Sequence, residues 1–454
     1  METNLDKNTI TVLPPGPNTF KAFSGLIKHG FLDYTGKIWK EHGDLVCINL
    51  GVRKLFLAIN ANSVQHINVK NGTNYDKLNS YDVVRKYLTG SGLISSTGEV
   101  WKKQRKLMAP FFTPAGIESY GDIMIRDAME IANRWEDLNG SWVDMEEEMM
   151  RVAASIILKS MFSSELNDET LEMKECIEYM IYFVATQQQG IRMPISVPNK
   201  RNKKYTESRN KVHNYIEKII KHRQSIPKEQ WPEDLLSKLM LSKDEDTGNP
   251  LSDELLKDES ITMFFAGHET TARTMSNAWY ALAKNPEVAN KLHEELDEVL
   301  GDRVPTLNDL RKLPYTLRTI KEVLRLYPPA PFYVRDAVED DVIDGFKIPK
   351  GSSVLLSPFY THRHPDFWED PLKFDPDRWN PEQEKERHRY SYHPFASGKR
   401  VCIGNNFSLM ESQILLAVLA RKFSPKLKEG YEVTWEMKGT LSAKEAIEMK
   451  IEKR

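Results

Sequence analysis

"FASGKRVCIG", Phe395–Gly404, lies about fifty residues before the end of the 454-residue chain and carries one of its three cysteines. Downstream, Phe407, Met410, Ile414, Leu415, Val418 and Leu419 recur at spacings of three and four, which predicts a helix with one apolar stripe. Cys402 therefore stands just ahead of a helix N-terminus, where unpaired N–H groups and the dipole favour an anion. Lys399 and Arg400 add positive charge, and together these conditions favour thiolate over thiol. Gly398 and Gly404 allow tight turns and the close approach of a large planar group. Cys47, in a strand-like stretch, and Cys176, in an amphipathic one, read instead as small buried hydrophobes. A cysteine hydrolase would need a base, and nothing near Cys402 supplies one.

The rest of the chain sets the frame. At 40 % hydrophobic and 28 % charged residues it is ordinary globular material, and a net charge of −2 gives no bulk attraction to nucleic acid. Three scattered cysteines make no disulfide framework and point to a reducing compartment. "METNLDKNTITVLPPGP" has neither a basic nor an apolar segment of a signal peptide, and no stretch approaches the ~20 apolar residues that span a bilayer. A cytoplasmic protein without a membrane span is expected.

Residues 1–17 read as a flexible leader ending in "PPGP". Residues 35–70 and 330–360 read as mainly sheet-rich, the latter with an Asp344–Gly345 hairpin turn. Residues 99–325 and 404–423 read as helical. The chain shows no repeat and no low-complexity linker, so a single domain, 1–454, mainly α with a smaller β portion and no fused reductase, is expected.

Phe395-x-x-Gly398-x-Arg400-x-Cys402-x-Gly404 resembles the haem-binding loop of the cytochrome P450 family, and three further stretches agree with it in order. The first is "AGHETTART", Ala266–Thr274, inside a helical run from an N-cap at Ser252 to Asn285, ended by Pro286. About 34 residues at ~1.5 Å each span ~50 Å. Gly267 costs such a helix about 1 kcal/mol, so a close approach or distortion is expected there, and the Thr270 hydroxyl can bond back to the Ala266 carbonyl. The second is "KEVLRLYPP", where Glu322 and Arg325 share a helix face. With Arg378 of "FDPDRW" they resemble the family's structural triad. The third is "WKKQRKLMAPFF", where Trp101 and Arg105 stand four apart.

The resemblance implies a P450 fold, with a long central helix over haem b, and Cys402 as the iron ligand. It implies haem contacts from Ala266, Phe395 and Gly404, and propionate contacts from Trp101, Arg105, Arg335, His393 and Arg400. Thr270 and Glu269 would serve oxygen activation and proton delivery. The implied reaction is monooxygenation of a small organic substrate by O2. Electrons would come from a separate ferredoxin or flavodoxin-type donor docking near Lys102, Lys103, Lys106 and Lys399. A peroxide-driven peroxygenase and a haem sensor are the alternative classes; the Glu269–Thr270 pair argues for dioxygen. By position in the family's pattern, Tyr81, Tyr87, Gln188, Phe264, Phe332 and Tyr333 would line the pocket. Two substrate readings stay open, O-demethylation of a methyl ether and hydroxylation of a fatty acid or terpenoid. "ATQQQG", Ala185–Gly190, is polar for a pocket wall; it is either a helix end facing water or a feature that recognises hydroxyls.

Overall fold

The computed structural model describes residues 11–51, 53–189, 194–243 and 248–454. The chain divides into two compact units.

The first unit runs to Ser80 and adds Lys321–Cys402 and Thr434–Lys444. It opens with helix α1, Thr19–His42, broken by the left-handed Gly30. Its sheet consists of β1 (Leu45–Leu50), β2 (Arg53–Ala58), β3 (Tyr75–Asp76), β4 (Tyr333–Ala337) and β7 (Ser353–Leu356), with a separate hairpin of β5 (Asp341–Ile343) and β6 (Phe346–Ile348). The strand order is β1-β2-β7-β4-β3, with only β2 and β7 parallel. Asp344 and Gly345, both at positive φ, turn the β5–β6 hairpin as a type I′ turn requires. A second hairpin pairs β8 (Trp435–Met437) with β9 (Leu441–Ala443).

Two expectations need correction here. Residues 35–42 continue a helix rather than starting a sheet-rich region. Their buried positions, Thr35, Gly36 and Ile38, pack the helix onto β1 and its neighbours, so tertiary burial overrides the strand-like local pattern. Residues 11–17, expected as the end of a flexible leader, lie along the sheet. The Lys347 N–H donates to Val12 O at 2.9 Å, the Cys47 N–H donates to Pro15 O at 2.9 Å, and Pro14 and Pro17 are buried. Residues 1–10 of that leader lie outside the described residues.

The second unit comprises Tyr81–Ile320, Ile403–Val433 and Glu445–Arg454 and is mostly helical. Its main elements are α2 (Gly98–Met108), α3 (Gly121–Asp137), α4 (Met145–Phe162), α5 (Asp168–Gln189), α6 (Lys200–Ser225) and α7 (Asp253–Lys284). Helix α8 (Pro314–Leu326) crosses from this unit into the first, and α9 (Asn405–Ala420) follows the cysteine loop. The Ser252 hydroxyl caps α7 by accepting from the Leu255 N–H at 3.2 Å, with Asp253 and Glu254 in the first turn as the dipole favours. Along α7, the hydroxyls of Ser260, Thr262, Thr270 and Thr274 each bond back one turn, which lets a buried helix carry polar side chains. Gly267 answers to a close approach: a Cβ there would meet Ile157 Cδ1 of α4 at 2.6 Å.

Candidate haem site

In the first unit, the Cys402 N–H donates to Phe395 O at 2.9 Å and closes the loop between them. Ala396 and Gly398 take left-handed backbone, and the Val401 N–H donates to Gly398 O at 3.1 Å. Gly398 answers to a protein contact: a Cβ would lie 1.9 Å from the Asn68 carbonyl oxygen. Asn68 braces the same loop from its side chain, donating to Ser397 Oγ at 3.0 Å and to Tyr333 Oη at 2.8 Å. Cys47 and Cys176 are buried, whereas Cys402 is exposed.

Several cations gather around this loop. Arg335 and Arg400 are buried, and Lys77 stands beside them. Asp76 pairs with Arg400. Burial first, and then the Arg335 and Arg400 guanidinia, hold the Lys77 ammonium well below its usual range. Three cations gathered beside one loop suit an anionic group. His393 adds a donor or acceptor of its own. Its Nδ1 lies 3.2 Å from Tyr333 Oη, while its buried Nε2 has no hydrogen-bond partner among the described residues. Burial pushes its pKa down to about 3, so the ring is neutral. This donor set fits the two carboxylates of a haem.

Behind the loop lies a second group of charges with the opposite character. Arg325 donates to both Glu322 oxygens at 2.8 Å, and Arg378 Nε donates to Glu322 Oε1 at 3.0 Å. Trp379 Nε1 and the Asp375 N–H complete the carboxylate at 2.9 and 2.8 Å. The remaining Arg325 nitrogen donates to the His362 and Pro371 carbonyls. His362 joins this group to the loop. Its Nδ1 lies 3.1 Å from Arg325 O and its Nε2 accepts from the His393 N–H at 2.8 Å, which assigns the proton to Nδ1.

In the second unit, α2 carries Trp101, buried, and Arg105, half-buried, one turn apart. The loop entering α2 is fixed to α7, since the Ser91 N–H donates to Asp258 at 2.7 Å and the Leu93 N–H to Glu259 at 3.1 Å. Gln104 then ties α2 to that loop through Ser91 O at 2.8 Å. On α7, Thr270 Oγ1 donates to Ala266 O at 2.7 Å, as the sequence predicts. Glu269 lies 3.8 Å from Arg273, which also pairs with Glu146 of α4. Thr271 Oγ1 donates at 3.1 Å to Glu411 of α9, a buried acid whose pKa burial pushes up to about 8. A Cβ on Gly404, the N-cap of α9, would meet no atom within 4 Å.

Phe332 is part of a protein core, with Phe31 at 5.2 Å and Tyr360 at 6.0 Å. Tyr333 supports the cysteine loop through its hydroxyl. Phe264 is fully buried on α7 against the His268 ring, and Tyr87 packs edge-on against Phe183 of α5. Tyr81 is half-buried. Gln187 is buried; the side chains of Gln188 and Gln189 lie outside the described residues. Lys102, Lys103, Lys106 and Lys399 are all exposed, Lys102 paired with Glu99 at 2.6 Å.

A sequence model of the family described as Cytochrome P450 matches residues 13–451. The chain is a cytochrome P450. Its relatives include the cyclooctatin synthase of Streptomyces melanosporofaciens, 33 % identical over 389 residues, covering 84 % of this chain and 83 % of that one. The cyclooctat-9-en-7-ol 5-monooxygenase of the same organism is 30 % identical, covering 86 % and 87 %. The crystal structure of the cytochrome P450DA heme domain aligns at a TM-score of 0.89 with 26 % identity, covering 98 % of both chains. This P450 is thus an oxidoreductase of the monooxygenase class with haem as its cofactor. P450s use O2, electrons from redox partners and organic substrates. Among the described residues, no helix is long and apolar enough to cross a membrane.

Proposed function

We propose that this P450 hydroxylates a terpenoid, with Cys402 as the thiolate ligand of the haem iron. The observation that carries the haem assignment is the braced loop that exposes Cys402 beside Lys77, Arg335 and Arg400. When bound, the haem supplies dioxygen activation and the insertion of one oxygen atom into a C–H bond. Arg335, Arg400, Lys77 and the His393 ring would hold the propionates, together with Trp101 and Arg105; the planar guanidinium fork matches a carboxylate. Phe395, Gly404 and Ala266 would hold the porphyrin. Thr270 Oγ1 would orient a proton for oxygen activation. Glu269 relays protons to it, and Arg273, shared with Glu146, sets where the Glu269 carboxylate points. The Glu322–Arg325–Arg378 group braces the loop through His362 and takes no part in the chemistry.

The terpenoid reading rests on the relatives named for cyclooctatin. Neither of those is named for O-demethylation, so the methyl-ether reading gains no support. Tyr81, Tyr87, Gln188, Phe264, Phe332 and Tyr333 are the pocket residues of this reading. A ferredoxin or flavodoxin-type donor docks over Lys102, Lys103, Lys106 and Lys399, and the scattered cysteines suit the cytoplasm.

Turnover tests it. Terpenoid alcohols and hydrocarbons are incubated with the protein, a surrogate ferredoxin and reductase, and labelled O2. Product carrying one labelled oxygen atom supports the reading; faster turnover with hydrogen peroxide alone would favour a peroxygenase.

A further inference from the structure

Where α5 ends and α6 begins, several buried polar atoms play no part in the site described above. Gln187 is 1 % exposed, and its Nε2 has no hydrogen-bond partner among the described residues. The Arg201 guanidinium lies over the Phe183 ring, 4.7 Å from its centroid, with Nε and Nη2 buried and likewise unpartnered. Phe183 connects the two residues. It precedes Gln187 by one helical turn on the same face of α5. It also stacks on Tyr205 at 4.1 Å and meets Tyr87 edge-on at 5.7 Å.

The nearby hydroxyls have partners already: Tyr205 donates to Tyr87 O at 2.9 Å and Tyr179 to Arg201 O at 3.2 Å. All three unpartnered atoms are therefore N–H donors, one pair of them on a cation. A buried donor without a partner costs about 1–3 kcal/mol, and more when charged. Nε and Nη2 form one edge of the guanidinium, the edge that meets both oxygens of a carboxylate side by side. The Gln187 amide adds a third donor, one turn beyond Phe183 on α5. Among the described residues, no Asp or Glu pairs with Arg201.

We propose that Arg201 and Gln187 form a subsite for a carboxylate on the substrate, with Phe183, Tyr205 and Tyr87 as its apolar floor. The inference rests on the reading of Tyr87 and the end of α5 as pocket wall. It narrows the substrate class to acids with a terpenoid or fatty acyl body, held at the acid end and oxidised at a distance from it. A hydroxyl or ester oxygen would engage fewer of the three donors.

The test uses full-length, haem-loaded protein at pH 8. Dodecanoic acid, methyl dodecanoate, abietic acid and methyl abietate are titrated separately while the haem absorption band is followed. At least one acid is expected to bind about 10-fold or more tightly than its ester, the scale of one charge-assisted hydrogen-bond pair. R201M should bring acid affinity down to that of the ester, R201K should keep part of the preference, and Q187L should lose less than R201M. No preference for the acid in either pair, or a preference that survives R201M, overturns the subsite. Each variant's carbon monoxide spectrum is recorded in parallel; its absence in the wild type would overturn the haem assignment instead.

Discussion

Two groups of buried arginines lie in the same compact unit and serve opposite ends. Around Glu322, the nitrogens of Arg325 and Arg378 meet carboxylate oxygens and backbone carbonyls, and the acid accepts from Trp379 and Asp375 as well. Around Cys402, Asp76 pairs with Arg400, and Arg335 and Lys77 stand beside them. The first group gathers its guanidinia on one buried acid and on carbonyls, whereas the second gathers three cations beside an exposed cysteine. Burial alone does not distinguish a brace from a binding site.

Breaking the first group should have the largest effect. Glu322→Ala leaves two buried guanidinia without their acid, a loss of roughly 3–5 kcal/mol. Urea unfolding and the yield of folded protein are the measurements, and a folded variant of wild-type stability would remove the distinction. Arg335→Leu acts on the other group and should barely alter the stability of the haem-free protein. Haem affinity should fall by roughly 10–100-fold, as expected for one lost charge-assisted contact, read by haem transfer to an acceptor globin. Thr270→Ala should retain haem while product per electron consumed falls by about 10-fold and peroxide rises. The combined NADPH, product and peroxide balance checks this.

A third buried acid sharpens the comparison. Glu411 resembles Glu322 in burial but pairs with no cation among the described residues, and its pKa is pushed up to about 8 by burial. Its raised pKa means that the folded state holds a proton that the unfolded state has released between about pH 4.5 and 8. Stability should therefore fall as pH rises through that window and level off above it. Glu411→Gln should flatten that slope, the smallest of these effects, measured as urea midpoints at pH 5.5 and pH 8.

Much of the site is legible in the sequence because the motif residues are local. The cysteine loop, the Thr270–Ala266 bond and the Glu322–Arg325 pair each span ten residues or fewer. Arg273 is legible too, four residues beyond Glu269 on one helix face. Lys77 was not legible. It joins Arg335 only because β3 and β4 pair with Asp76 opposite Asp336, a register set by the sheet rather than by either segment. His362 is not legible either, for the same reason: its partners Arg325 and His393 lie 37 and 31 residues away. Phe332 packs in a protein core and the Tyr333 hydroxyl accepts from Asn68, contacts that their place in the sequence does not reveal. The fold class was legible from periodicity, whereas α1 was not, because its strand-like residues face a sheet that only tertiary packing supplies.

The central claim is that Cys402 binds the haem iron as a thiolate. Reduced, haem-loaded wild-type protein is exposed to carbon monoxide and its difference spectrum recorded beside that of Cys402→Ser. The account predicts the red-shifted Soret band of sulfur-ligated iron in the wild type and its loss in the variant. A wild-type band at the position of nitrogen-ligated haem, or the sulfur-type band surviving in Cys402→Ser, would contradict it.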